Sequence, residues 1–221
     1  MSVLGVDEVA CELGVSPRRV RQMISDGVLV ARRLGGVWVI EREHVGRVER
    51  HRRQVGRPWS PGSAWAVLAL ADGGEPDLAP VDRSRARKRL GSGLDRVVGR
   101  LGARSDRRWF YGHPAVLDRL GGDPQVVRGG VSAAGEHGAG VVSADRFEGY
   151  VRGGDLDRLV ARFGLDGEAV RPNVLLRVVD DEVWPFQAGQ RYAGRSVVAV
   201  DMLESDDSRV RRAGAELMDR A

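Results

Sequence analysis

The sequence predicts an α+β chain in two parts: a small N-terminal unit of short helices and a β-hairpin, then a larger mixed α/β part. Three observations carry this. Apolar residues before position 25 recur at helical spacing and are followed by a glycine-tipped hairpin pattern. A basic stretch rich in proline and glycine, HRRQVGRPWSPGS over 51–63, then disfavours regular structure. Beyond it, short helical and strand patterns alternate. The expected division is 1–55 for the first domain, 56–63 for a linker and 64–221 for the second domain.

Composition narrows the function. The 221 residues, 42% hydrophobic and 30% charged, suit one large or two small globular domains and exclude fibres and disulfide scaffolds. No apolar run approaches the roughly 20 residues of a membrane span. The opening Met-Ser-Val-Leu-Gly-Val-Asp-Glu lacks the basic-then-apolar pattern of a secretory leader. The expected location is therefore cytoplasmic. A single cysteine, Cys11, can form neither an internal disulfide nor a cysteine zinc cluster, and reads as a structural thiol in a reducing compartment.

The net charge of +4 is unevenly spread. Residues 1–58 hold 11 basic and 7 acidic side chains, and residues 83–108 hold 10 and 2. The intervening and C-terminal segments are acidic. Lys88 is the single lysine, so the arginine excess alone is equally explained by GC-rich coding; its distribution says more about a polyanionic partner.

In the first unit Val6, Val9, Ala10 and Leu13 form one helical face. Gly14 supplies a left-handed stop, with Val15 folding back. Ser16-Pro17 starts a second helix, because a serine oxygen accepts an orphan amide and proline fits the first helical position. Val20, Met23 and Ile24 point inward, leaving Arg18, Arg21, Gln22 and Ser25 on the other face. Arginine pairs with guanine and glutamine with adenine in the major groove, and a solvated arginine-rich face fits the same residues. Asp26-Gly27 marks a turn, 28–30 a strand, Arg32-Arg33-Leu34-Gly35-Gly36 a hairpin tip and 37–40 a returning strand. Glycine lets such a tip approach a sugar-phosphate backbone that arginine neutralises. Trp38 shares a side of its strand with Ile40, so it packs beneath the hairpin. A third helix over 43–53 closes the unit.

The string from Val6-Asp7-Glu8-Val9-Ala10 through Leu13-Gly14-Val15-Ser16-Pro17-Arg18-Arg19-Val20-Arg21 to Gly27-Val28-Leu29, with Gly35-Gly36-Val37-Trp38-Val39-Ile40 after it, resembles the winged helix-turn-helix of the excisionase and MerR-like families. The resemblance implies that the helix after Ser16 enters the major groove of double-stranded DNA and that the hairpin touches the backbone or minor groove. By position the contacts fall on Ser16, Arg18, Arg19, Arg21, Gln22, Arg32, Arg33, Gly35 and Gly36. The long heptad dimerisation helix of MerR regulators is not matched, so metal or drug sensing is not implied.

In the second part, 63–72 reads as an apolar helix carrying Trp65. From Asp82 a helix dense in Arg83, Arg85, Arg87, Lys88 and Arg89 offers candidate phosphate contacts, although a solvated face or an acidic protein partner would use the same residues. Arg107-Arg108-Trp109-Phe110-Tyr111 fits a half-buried strand better than a stacking surface. Helices are expected over 114–120, 131–137 and 156–163, with a last one opened by Ser205-Asp206-Asp207. Strands are expected over 147–151, 174–179, 183–186 and 197–201.

Arg108-Trp109-Phe110-Tyr111, Gly129-Gly130-Val131-Ser132-Ala133-Ala134, Tyr150-Val151, Asn173-Val174-Leu175-Leu176-Arg177-Val178-Val179 and Val198-Ala199-Val200-Asp201-Met202-Leu203-Glu204-Ser205-Asp206-Asp207-Ser208-Arg209 follow in an order that resembles the C-terminal domain of AbiEi-type antitoxins. That resemblance implies an autoregulating repressor of a toxin-antitoxin operon. A nucleotidyltransferase-like toxin is then a partner, and a homo-oligomer on DNA a further expectation. An excisionase-like architectural role and a module that neutralises a toxin by contact are the alternatives.

No catalytic constellation, cofactor or metal site is expected. His44, His51, His113 and His137 lack ligand spacing, and no glycine run matches a phosphate-binding loop. Asp201 and Glu204 after a buried-looking segment allow a magnesium nuclease only weakly, because the lone lysine is distant in sequence.

Overall fold

A computed structural model describes residues 3–25, 29–42, 44, 45, 48, 57–141 and 145–219. The chain divides into two units, Met1–Arg57 and Pro58–Ala221.

In the first unit β1 (Val3–Gly5) leads into α1 (Val6–Leu13), and α2 spans Pro17–Ser25. Val6, Val9, Ala10 and Leu13 are all buried, as their spacing requires. Glu8 reaches back to accept from the Gly5 amide at 2.7 Å, satisfying one of the donors a helix start leaves open. Gly14 is left-handed, and Val15 N–H returns to the Ala10 carbonyl at 3.0 Å. The wing is β2 (Ala31–Leu34) and β3 (Val37–Glu41), with β3 central in a sheet ordered β1-β3-β2.

Two details differ from the sequence reading. The first wing strand is 31–34 rather than 28–30, and the tip shrinks to two residues. Gly35 (φ 57°) and Gly36 (φ 85°) both take positive φ, as a two-residue primed turn demands. Pairing therefore continues to Leu34 opposite Val37. The unexpected β1 pairs antiparallel with β3, Leu4 opposite Ile40. Of the expected helix over 43–53, residues 44, 45 and 48 are helical, Val45 and Val48 are buried, and the remainder lies outside the described residues, as do Asp26-Gly27, Val28 and 51–56.

The second unit begins with α3 (Pro61–Ala71), α4 (Pro80–Leu90) and α5 (Leu94–Val97). Two 3₁₀ turns, Val98–Arg100 and Gly102–Arg104, lead to β4 (Asp106–Phe110). Pro61 occupies the first turn of α3, so 61–63 is helix rather than linker. Next come α6 (Pro114–Gly122), β5 (Val127–Arg128), α7 (Gly130–Ala133), β6 (Phe147–Arg152), α8 (Leu156–Phe163), β7 (Val174–Val179), α9 (Arg195–Leu203) and α10 (Ser208–Met218).

The sheet order is β4-β7-β6-β5, with β6 and β7 parallel around α8 and the other pairs antiparallel. Alternation along β7 sends Val174 and Leu176 into a core with Leu117, Leu120, Leu159 and Phe163. Arg177 and Val179 belong to the opposite face, where Val179 and Tyr150 pack with residues of α3 and α9.

Two expected strands are corrected. Residues 197–201 lie in α9, where Ser196 to Met202 are buried without interruption, so no amphipathic period marked the helix. Residues 183–186 are not a strand either. The Asp180 side chain accepts from Glu182 N–H at 3.2 Å and winds Asp181–Val183 into a 3₁₀ turn. Phe186 then joins an aromatic cluster with Trp65, Tyr150 and Trp184 at centroid distances of 5.0 to 5.4 Å.

Candidate nucleic-acid interface

The second helix is held from both ends and from beneath. Ser16 Oγ accepts from Arg19 N–H at 3.2 Å, and the Ser16 carbonyl accepts from Val20 N–H at 3.1 Å. At the far end Leu29 N–H reaches the Met23 carbonyl at 3.0 Å. Val20 and Met23 are buried against Val9, Ala10, Leu13 and Leu29, with Ile24 half-buried beside them. With that face fixed inward, Ser16, Arg18, Arg19, Arg21 and Gln22 are all exposed.

The wing separates its two arginines. Arg33 lies opposite Trp38, and its guanidinium sits 4.9 Å from the indole centroid. Arg32 lies opposite Val39, on the other face. Trp38 is half-buried and packs beneath the sheet, as alternation implied. The hairpin thus presents one cation per face, and Gly35 and Gly36 at its tip are exposed.

In the second unit the basic run is sorted by its partners. Arg85, Arg87 and Lys88 are exposed, while Arg83 and Arg89 are half-buried. Arg83 donates to the Leu78 carbonyl at 3.3 Å. Arg87 lies 3.9 Å from Glu75.

The structure also brings together a buried charge cluster that sequence reasoning missed. Arg104 is fully buried. It donates to Asp201 Oδ1 at 2.7 Å, to Glu204 Oε1 at 2.8 Å and Oε2 at 3.0 Å, and to the Tyr150 hydroxyl at 3.3 Å. Arg177 donates to Glu204 Oε2 at 2.8 Å, and its Nε lies 3.3 Å from Asp201 Oδ1. The Tyr150 hydroxyl and Gly130 N–H complete the Asp201 carboxylate at 2.7 and 3.1 Å. Asp201 and Glu204 are therefore occupied by guanidinium groups. Among the described residues no cluster of histidine, cysteine and carboxylates is arranged to hold a metal ion.

Burial opposes the charge on Glu204, yet Arg104, Arg177 and Arg107 outweigh it and hold its carboxyl well below the usual range. Burial likewise works against charge on Arg104, but Glu204, Tyr150 and Asp201 keep it firmly protonated. Glu148 goes the other way. Burial pushes it up to about 7, Arg177 opposes that rise, and Asp201 and Glu204 reinforce it.

A pH signature follows from Glu148. A carboxyl whose folded pKa of about 7 exceeds its ordinary 4.5 favours the folded state fully below 4.5 and loses that contribution as pH rises to 7. Glu148→Gln keeps the neutral shape. Wild type minus variant stability, from urea midpoints, should therefore decline between pH 4.5 and 7, by at most on the order of 3 kcal/mol. A difference independent of pH would show that burial does not raise the Glu148 carboxyl on folding.

Cys11 is exposed on α1 rather than packed. His113 Nδ1 accepts from Ala115 N–H at 3.2 Å, and His137 Nε2 lies 2.8 Å from the Ala193 carbonyl; both stand at helix ends.

Two apposed helices, a turn of three residues and an antiparallel wing define the first unit as a winged helix-turn-helix domain, the class that binds double-stranded DNA. Residues 1–42 match the family described as DNA-binding protein Rv2175c, wHTH domain. No curated protein and no solved structure matches the chain. Among the described residues no helix is long and apolar enough to cross a membrane.

Proposed function

We propose that the protein is a sequence-specific transcriptional regulator that reads double-stranded DNA with α2 and steadies the duplex with its wing. The observation that carries this is the division of α2, in which Val20 and Met23 are buried while Arg18, Arg19, Arg21 and Gln22 stand in solvent. A helix anchored on one side and tipped with guanidinium and carboxamide groups on the other is suited to base edges in a major groove. Ser16 and Arg19 at its N-terminus, with Arg32, Arg33 and the two wing glycines, are assigned to the backbone.

The finer reading is an autoregulating repressor of the antitoxin kind, acting in the cytoplasm without catalytic activity. Its support comes from the second unit. Several landmarks that resemble AbiEi-type antitoxins meet at the buried charge cluster, and others pack on the opposite face of the sheet. Gly130 and Tyr150 bond Asp201, Arg177 bonds Glu204, and the Asn173 side chain bridges both backbone groups of Gly112 at 2.8 and 2.9 Å. Residues that jointly build a core explain a shared order of landmarks. A nucleotidyltransferase-like toxin would be the partner, and co-purification with the product of a neighbouring gene tests that part.

The DNA assignment is tested with a duplex selected from randomised sequence. Arg21→Ala and Gln22→Ala should each relax preference at one base position, costing about 1–3 kcal/mol there. Arg32→Ala should weaken selected and random duplexes alike. Equal loss on both duplexes for every variant would contradict the assignment of α2.

A further inference from the structure

The second unit holds a cleft of about 460 Å³ between α4 and α5 whose walls carry five cations, Arg85, Lys88, Arg89, Arg96 and Arg100, with Trp59 among them. Arg85 and Lys88 are three residues apart on one face of α4, Arg89 continues that face at i+4, and Ser92 lies in the turn after the helix. The chain then reverses and returns Arg96 and Arg100, four residues apart, to the same space. Trp59 is tied to this return by a 3.0 Å bond from its N–H to the Arg100 carbonyl. The Arg89 guanidinium lies 4.7 Å from the Trp59 ring centroid and that of Arg100 lies 5.9 Å from it.

Three arginines elsewhere in the second unit are paired with buried carboxylates. Arg104 and Arg177 share Asp201 and Glu204, and Arg162 meets Asp123 at 2.6 Å. In the cleft Arg85 has Asp82 at 3.2 Å. Among the described residues no carboxylate lies within 4.0 Å of Lys88, Arg89, Arg96 or Arg100. Convergent cations without counter-charge repel one another until an anion arrives, and planar guanidinium groups match phosphate oxygens two at a time. An indole beneath Arg89 holds that fork in a fixed plane through a cation–π contact. The volume is that of a small-ligand site.

We propose that this cleft binds phosphate groups of a nucleotide, either a free nucleoside polyphosphate or consecutive phosphates of a nucleic-acid strand. Lys88, Arg96 and Arg100 supply the charge, and Trp59 orients Arg89. The site lies wholly within the second unit, so it can fill whether or not α2 reads DNA as proposed.

The experiment uses the full chain and the double variant Arg96→Gln/Arg100→Gln. Both side chains are exposed, and an unchanged melting temperature would confirm intact folding. In the first arm, calorimetry is run with ATP and with inorganic pyrophosphate at low salt. Binding that weakens at least tenfold in the double variant assigns the site to free phosphorylated ligands. In the second arm, affinity for a random duplex is followed against salt. Loss of about 1.8 from the slope of log K against log salt, near 0.9 for each phosphate contact removed, assigns the site to DNA phosphates. Trp59→Phe, which keeps an aromatic face, should weaken whichever arm responds by less than the double variant does. An unchanged slope together with no binding of ATP or pyrophosphate overturns the proposal. Arg21→Ala, run in parallel, reports on α2 alone and separates failure of this site from failure of the DNA-reading helix.

Discussion

Replacement of Arg104 by methionine is expected to destabilise the second unit by about 3–5 kcal/mol, the range found when one member of a buried ion pair is removed. Methionine roughly preserves volume, so the loss comes from charge. Wild type holds Asp201 and Glu204 between two buried guanidinium groups, with Arg107 3.7 Å from Glu204 at the margin. Without Arg104 two buried carboxylates share Arg177. The Tyr150 hydroxyl also loses a partner, and Trp65, whose Nε1–H donates to the Arg104 carbonyl at 3.0 Å, sits beside the gap. Tryptophan fluorescence in urea therefore reads the transition directly. Adding Glu204→Gln should recover part of the loss by removing one stranded charge. A cost below about 1 kcal/mol for Arg104→Met would mean that water or another cation replaces the guanidinium.

That cluster also marks where local sequence reasoning reaches its limit. Arg104 sits in a run of ten basic residues over 83–108 that reads as surface charge. Its acidic partners lie 97 and 100 positions later, and nothing nearby says that this arginine alone turns inward. The available signal is Arg177, a charge in the middle of the apolar strand Val174–Val179, together with two carboxylates ending a buried apolar run. A cation inside a strand and acids at the end of a buried helix require each other.

The winged domain is more legible because its decisive features are local. Helical spacing at Val6, Val9, Ala10 and Leu13, the Ser16-Pro17 start and the paired glycines at the wing tip each act within a few residues. The exposed face of α2 follows from the buried one. What escapes is β1, three residues long and stable only through pairing with β3 more than thirty positions on. The helical state of 197–201 escapes for a different reason. Val197, Val198 and Val200 favour strand by their branching, and complete burial erases the helical period that would have corrected it.

Gly130→Ala should be strongly destabilising, at about 2–5 kcal/mol. Gly130 has φ of 44°, a region that costs a residue with a Cβ about 1–2 kcal/mol. Here the new methyl would also overlap Glu148 Oε2. Glu148 is hemmed by Arg177 Nη2 at 3.8 Å and keeps only 14% of its side chain in contact with solvent, so its retreat disturbs the charge cluster and adds an overpacking cost of about 1–3 kcal/mol. Gly164→Ala is the matched control. Its φ is 59°, but no atom lies within 4 Å of where its methyl would stand, so only the backbone cost of about 1–2 kcal/mol should emerge. The excess at Gly130 should vanish in a Glu148→Ala background, because the clashing carboxylate is gone while the backbone strain remains. Equal losses for the two glycines in the wild-type background would show that Glu148 swings aside freely, and that the cluster around Asp201 is looser than its bond lengths imply.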